Sequence, residues 1–330
     1  MLPNIYRNMR KFTNSNYKIF CIVFTIGIIL ISCNDNSQNE NKSKFTKLTG
    51  PYLGQKPPGK VPKLFAAGIV STKEYNDRDL TISPDGSQVF FTRYKIEDDS
   101  VYFVDIMYSE LINGIWTNPQ IAWFSSIYGE VETFFTPDGK EIFFNSNRPA
   151  LTEGEKVDYE TWFIKKEGNT WSLPKLLGSP FNRVCHTTFT RNGKMYYTKE
   201  DEFTLYRTTY KDGVFGQPEK LDSIINSTEV QYNCFISHDE SYLIFTCPLR
   251  EDGFGSEDLY ISFRSDNDEW SEPTNLGSEI NSPEDESSPS ISPDGKFFFF
   301  TSNKGGNRDI YWVDIKILDK LKPNEMKNQN

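Results

Sequence analysis

The chain has 330 residues, of which 37% are hydrophobic and 15% aromatic, with 21 Gly and 18 Pro, and its formal net charge is −10. The apolar content is enough for a sizeable core and excludes disorder throughout, while aromatics mixed with Gly and Pro favour short strands and tight turns over a helical bundle. The acidic balance argues against nucleic acid as a partner, and the two histidines, His186 and His238, exclude any site built on three histidine ligands.

The first segment reads as a secretory signal. Arg7, Arg10, Lys11 and Lys18 precede an apolar run from Ile19 to Ile31, and no acid occurs before Asp35. The run is shorter than the roughly 20 residues a membrane-spanning helix needs and has the length of a signal-peptide core. It ends in Leu30-Ile31-Ser32-Cys33. This resembles the lipobox of bacterial lipoproteins, which implies that residues 1–32 are removed and that Cys33 receives the lipid. Loss of those residues takes the net charge from −10 to −14. Residues 33–56 are then expected to be a flexible tether, because Asn34 to Lys44 is too polar to bury. Downstream, Cys185, Cys234 and Cys247 are odd in number and have no paired spacing, so they read as buried thiols and not as a disulfide framework.

From about residue 60 the chain is organised by a fivefold repeat. Ser83-Pro84-Asp85-Gly86, Thr136-Pro137-Asp138-Gly139 and Ser292-Pro293-Asp294-Gly295 are near copies, with Thr190-Arg191-Asn192-Gly193 and Ser237-His238-Asp239-Glu240 as weaker ones. Measured at the Asp or Asn, they lie 53, 54, 47 and 55 residues apart. Pro presets the first corner, Asp or Asn bonds its own backbone, and Gly takes the positive φ of a hairpin turn. An apolar residue precedes each turn and an aromatic or aliphatic run follows it, such as Val89-Phe90-Phe91 and Ile142-Phe143-Phe144. Runs without alternation predict strands covered on both faces. A third strand follows, as in Asp258-Leu259-Tyr260-Ile261 and Asp309-Ile310-Tyr311-Trp312, and then a fourth marked by Trp116 and Pro119, Trp171 and Pro174, Phe215 and Pro218, or Trp270 and Pro273. The fifth unit lacks this fourth strand, but Val61-Pro62-Lys63-Leu64 stands ahead of the first unit and matches Pro174-Lys175-Leu176. The pattern predicts an all-β fold, a five-bladed β-propeller of four-stranded antiparallel blades over residues 57–320, closed by an N-terminal strand that completes the last blade. Residues 321–330 are expected to be a disordered tail.

Ser-Pro-Asp-Gly-Lys, an aromatic strand, Ser302-Asn303-Lys304-Gly305-Gly306 and Asp309-Ile310-Tyr311 together resemble the WD-like Pro-Asp propeller repeat of the TolB type. The whole is similar to envelope lipoproteins of Bacteroidetes. The resemblance implies a periplasmic or surface-facing propeller held to the outer membrane by its lipid, but the five repeats depart from the six blades and extra domain of TolB, so its role in the Tol system is not carried over.

In a propeller the innermost strand of each blade lines the channel and starts at one mouth. Counting back six residues from each turn Asp or Asn gives Asp79, Glu132, His186, Asn233 and Ser288, all polar. Arg93, Arg148, Arg250 and Arg308 follow the second strands and approach the same face. Asp79, Glu132, His186, Asn233, Ser288 and Arg148 are therefore the binding candidates, and Asp79, Glu132 and His186 would carry any catalysis. No ligand spacing argues for a metal, and no cofactor is expected. The leading expectation is a monomeric, lipid-anchored, non-enzymatic module that binds an envelope protein or glycan. The alternative is a carbohydrate-active hydrolase or lyase using paired carboxylates in the channel.

Overall fold

The computed structural model describes residues 47–98, 100–149 and 158–323. The expected signal segment, Cys33 and the tether as far as residue 46 lie outside the described residues, as do 324–330 of the expected tail.

The repeated turns form as their residues dictate. Ser83 Oγ donates to Asp85 Oδ1 at 2.6 Å, the Ser87 amide donates to the same oxygen at 2.9 Å, and Gly86 closes the turn at φ +72°. Each turn joins an innermost strand to a second strand. The innermost strands are Asn76–Ile82, Glu130–Phe135, Val184–Phe189, Tyr232–Ile236 and Glu286–Ile291. Their partners are Gln88–Glu97, Glu141–Ser146, Lys194–Lys199, Tyr242–Pro248 and Phe297–Ser302. The third strands, Ser100–Ile112, Glu160–Glu167, Thr204–Lys211, Glu257–Phe263 and Asp309–Asp314, complete the hairpins.

The fourth strand is split in the first three blades. In the first, Ile115–Trp116 and Gln120–Ile121 pair with successive parts of the same third strand, and Pro119, which has no amide to donate, falls in the gap. In the fifth blade the outer position is filled from the other end of the chain: Lys63 pairs with Trp312 and Leu64 with Tyr311. Five antiparallel sheets closed in this way form a five-bladed β-propeller.

The apolar core divides into five clusters, one for each seam between blades. Neighbouring side chains of a second strand serve different seams. Phe90 packs with Phe124 and Phe144 towards blade two, whereas Phe91 joins Phe299 and Trp312 towards blade five. Phe143 and Phe144, and Tyr196 and Tyr197, divide in the same way. This is why the sequence shows unbroken aromatic runs in place of alternation.

One expected boundary is corrected. Residues 48–56 fall within the expected tether, yet Leu53 is fully buried in the seam between blades five and one. Tyr52 meets Phe297 edge to face at 5.0 Å, and Trp116 Nε1 donates to the Gly50 carbonyl at 2.7 Å. Burial of Leu53 and Tyr52 holds this segment on the propeller, because apolar area withdrawn from water outweighs the polarity of the flanking residues. At the other end, the 3-10 helix Ile315–Leu321 buries Ile317 and Leu318 in the seam between blades four and five. No helix among the described residues is long and apolar enough to cross a membrane.

Candidate functional site

Each innermost strand carries a bulge. The pairing register breaks between Arg78 and Thr81, Val131 and Phe134, Cys185 and Thr188, Tyr232 and Phe235, and Ser287 and Ser290. Within each break one residue has a left-handed backbone: Asp79 at φ +55°, Glu132 at +64°, His186 at +48°, Asn233 at +52° and Ser288 at +51°. These are the five positions found by counting back from the turns. A left-handed residue other than Gly costs roughly 1–2 kcal/mol, less for Asp, Asn and His. The bulge re-aims a strand side chain, and here it brings side chains of different blades together.

Three of the five, with Arg78, form a closed circuit. Arg78 Nε lies 3.1 Å from Asp79 Oδ2, and Arg78 Nη2 lies 3.6 Å from Glu132 Oε1. His186 completes it, with Nε2 3.4 Å from Asp79 Oδ1 and Nδ1 3.0 Å from Glu132 Oε2. The His186 amide also donates to Glu132 Oε2, at 3.1 Å. All four residues are at most 4% exposed. Ser288 bonds Asp79 and receives Asn233 Nδ2 at 3.5 Å, so the remaining two blades join the network.

The electrostatics follow from this enclosure. Burial alone would push His186 down, but the charge of Glu132 and the bonds to Asp79, Cys185 and Glu132 override it and hold the imidazole well above its ordinary value. Burial would raise Asp79, but Arg78, His186 and Ser288 hold its carboxyl below the usual range. Two carboxylates, a guanidinium and an imidazole thus share one enclosed site. Cys185, beside His186 in the chain and also buried, has its thiol pushed up to about 12 by burial and by the Glu132 charge.

Towards the turns the channel holds a small cavity. The next residues of the innermost strands, Thr81, Phe134, Thr188, Phe235 and Ser290, line a cavity of about 40 Å³ together with Pro84, Pro137, Pro293 and His238. The arginines approaching the mouth are already engaged. Arg93 Nε binds Asp77 Oδ1 at 2.7 Å, Arg148 binds Glu130 and the Phe124 carbonyl, Arg250 binds Asp252 at 3.0 Å, and Arg308 lies 3.3 Å from both Glu257 and Asp285. Arg148 thus belongs to a clamp within its own blade, stacked near Phe144 and Trp162, and its hydrogen bonds go to Ser146, Phe124 and Glu130 instead of to the hub. Sequence reasoning missed Arg78 and Cys185. On a regular strand the neighbours of Asp79 and His186 would face away from them, and only the bulge gathers all four.

No family model and no curated protein matches the chain. Among solved structures, it is similar to TolB from Acinetobacter baumannii, with 15% identity and a TM-score of 0.46 over 73% of this chain and 52% of that one. The chain thus spans about half the length of that TolB. It is similar to a native arabinanase from Bacillus subtilis, with 10% identity and a TM-score of 0.48 over 74% of this chain and 95% of that one. A gluconolactonase from Xanthomonas campestris gives 8% identity and a TM-score of 0.44 over 81% and 96% of the two chains.

Proposed function

We propose that this is a lipid-anchored, non-enzymatic binding module of the bacterial cell envelope, a monomeric propeller that takes a protein or glycan partner on its mouth face. The observation that carries the reading is the closed circuit at the hub. An acid and a base for glycoside chemistry must reach substrate or water. Asp79 and Glu132 instead give one oxygen each to Arg78 and the other to His186, and both are 3% exposed. The mouth face offers contact area by contrast. Ile96 and Tyr102 on the long hairpin of blade one, Ile127 on the loop entering blade two, and Leu249 and Phe254 on the blade-four loop are all exposed.

Two measurements test this. Cys33→Ala is expected to move the protein from the membrane fraction to the soluble fraction, and full retention in the membrane overturns the anchor. Wild-type protein incubated with plant and bacterial polysaccharides is expected to release no reducing or unsaturated ends while retaining any ligand it binds. Product formation that Asp79→Asn abolishes would replace this reading with the hydrolase or lyase.

A further inference from the structure

We propose that the channel hub is a zinc site in which Glu132, Cys185 and His186 supply the donors and Asp79 and Arg78 orient them. Cys185 and His186 are consecutive, and on an unbroken strand their side chains would point to opposite faces. The bulge at His186 removes that obstacle, and the donor atoms of Glu132, Cys185 and His186 lie within 4.8 Å of one another, all buried. His186 Nδ1 is buried and sits 3.0 Å from Glu132 Oε2. Two zinc bonds of about 2.0–2.2 Å at a tetrahedral angle would hold a nitrogen and an oxygen roughly 3.3 Å apart, so these two donors stand almost at ligand separation. The thiol, within 4.8 Å of both other donors, completes three protein ligands once it closes to ligand separation, roughly 3.6 Å from the histidine nitrogen.

The surroundings serve the same end. A zinc-bound histidine commonly gives its second nitrogen to a carboxylate, and His186 Nε2 faces Asp79 Oδ1 at 3.4 Å. Arg78 engages Asp79 Oδ2 and Glu132 Oε1, which leaves Glu132 Oε2 towards the metal. Thiolate with imidazole selects zinc over calcium or magnesium, which prefer oxygen ligands.

The test uses the full chain in detergent, reduced, stripped with EDTA and titrated with Co²⁺. One equivalent is expected to give a thiolate-to-cobalt charge-transfer band, bleached by Zn²⁺. Cys185→Ser should remove the band while Cys234→Ser and Cys247→Ser keep it. Asp79→Asn, whose side chain also tolerates the left-handed backbone, should weaken zinc binding about 10–100-fold. In the wild type, Zn²⁺ should slow alkylation of Cys185 more than that of Cys234 or Cys247, a readout that needs no variant to fold. A wild type without a saturable band, a band that survives Cys185→Ser, or equal protection of the three thiols overturns the site, and an unchanged affinity in Asp79→Asn overturns the role of Asp79.

Discussion

The two ends of the innermost strands obey the same fivefold geometry and use it in opposite ways. At the turn end four of the five turns keep one residue type where the backbone demands it: Gly86, Gly139, Gly193 and Gly295 all have positive φ, and Asp85, directly before the first of them, bonds Ser83 and Ser87 of its own turn. At the bulge end the backbone is equally uniform, but the residues are Asp79, Glu132, His186, Asn233 and Ser288, and they bond across blades. A conformation repeated with one residue type is punctuation, whereas one repeated with five different polar residues marks where the blades were free to differ. Blade four joins the two cases. Glu240 stands where the other turns have Gly, at φ +64°, and its buried carboxylate accepts from Lys194 at 2.7 Å, Tyr196 at 2.5 Å and Arg264 at 2.6 Å. The strained turn therefore staples the seam between blades three and four.

This contrast can be broken by substitution. Glu132→Gln should have the largest effect, about 3–5 kcal/mol in urea unfolding, because it leaves Arg78 and His186 buried with too few anions; a loss below about 1 kcal/mol would mean that the hub is not a coupled circuit. Glu240→Gly relieves the backbone but strands Lys194 and Arg264, for an expected net loss of about 2 kcal/mol. A gain in stability would reduce Glu240 to a degraded turn. Asp85→Ala should cost only about 1 kcal/mol, the worth of a turn's own side-chain bonds.

The smallest effect is one of pH. Asp105, at the mouth end of blade one, is held at about 7 by burial and by the nearby charge of Glu130. Its value in the unfolded chain is about 3.9, so the fold prefers the protonated acid. Its contribution is most favourable below about pH 4 and declines as the pH rises through 7. Asp105→Asn should accordingly be more stable than the wild type at pH 8, with the difference vanishing towards pH 4. Urea midpoints at the two pH values would show this, and a pH-independent difference would contradict it.

The spacing of the turns made the blades, their number and the closing strand legible, because turn chemistry and unbroken aromatic runs are local signals. The same spacing located all five bulge residues, since each lies at a fixed distance from its turn. What those side chains meet was not legible. Arg78 and Cys185 enter the hub only because a register break defeats the alternation of a strand, and Arg148 leaves it because Glu130 is nearer. The packing of Tyr52 and Leu53 was equally hidden, as Leu48-Thr49-Gly50-Pro51-Tyr52-Leu53 shows neither strand nor helix periodicity.

That short segment has a mechanical meaning. Lys63 and Leu64 zip the ring shut with only two residue pairs, so a pull arriving directly at this strand would meet a short ladder. A load transmitted from the chain before residue 48 meets Leu53 and Tyr52 first, wedged against Trp116, Phe297 and Trp312, together with the Gly50 bond to Trp116. These contacts lie ahead of the closing strand in the chain, so any tension from that side would reach this cable clamp before it reached Lys63 and Leu64.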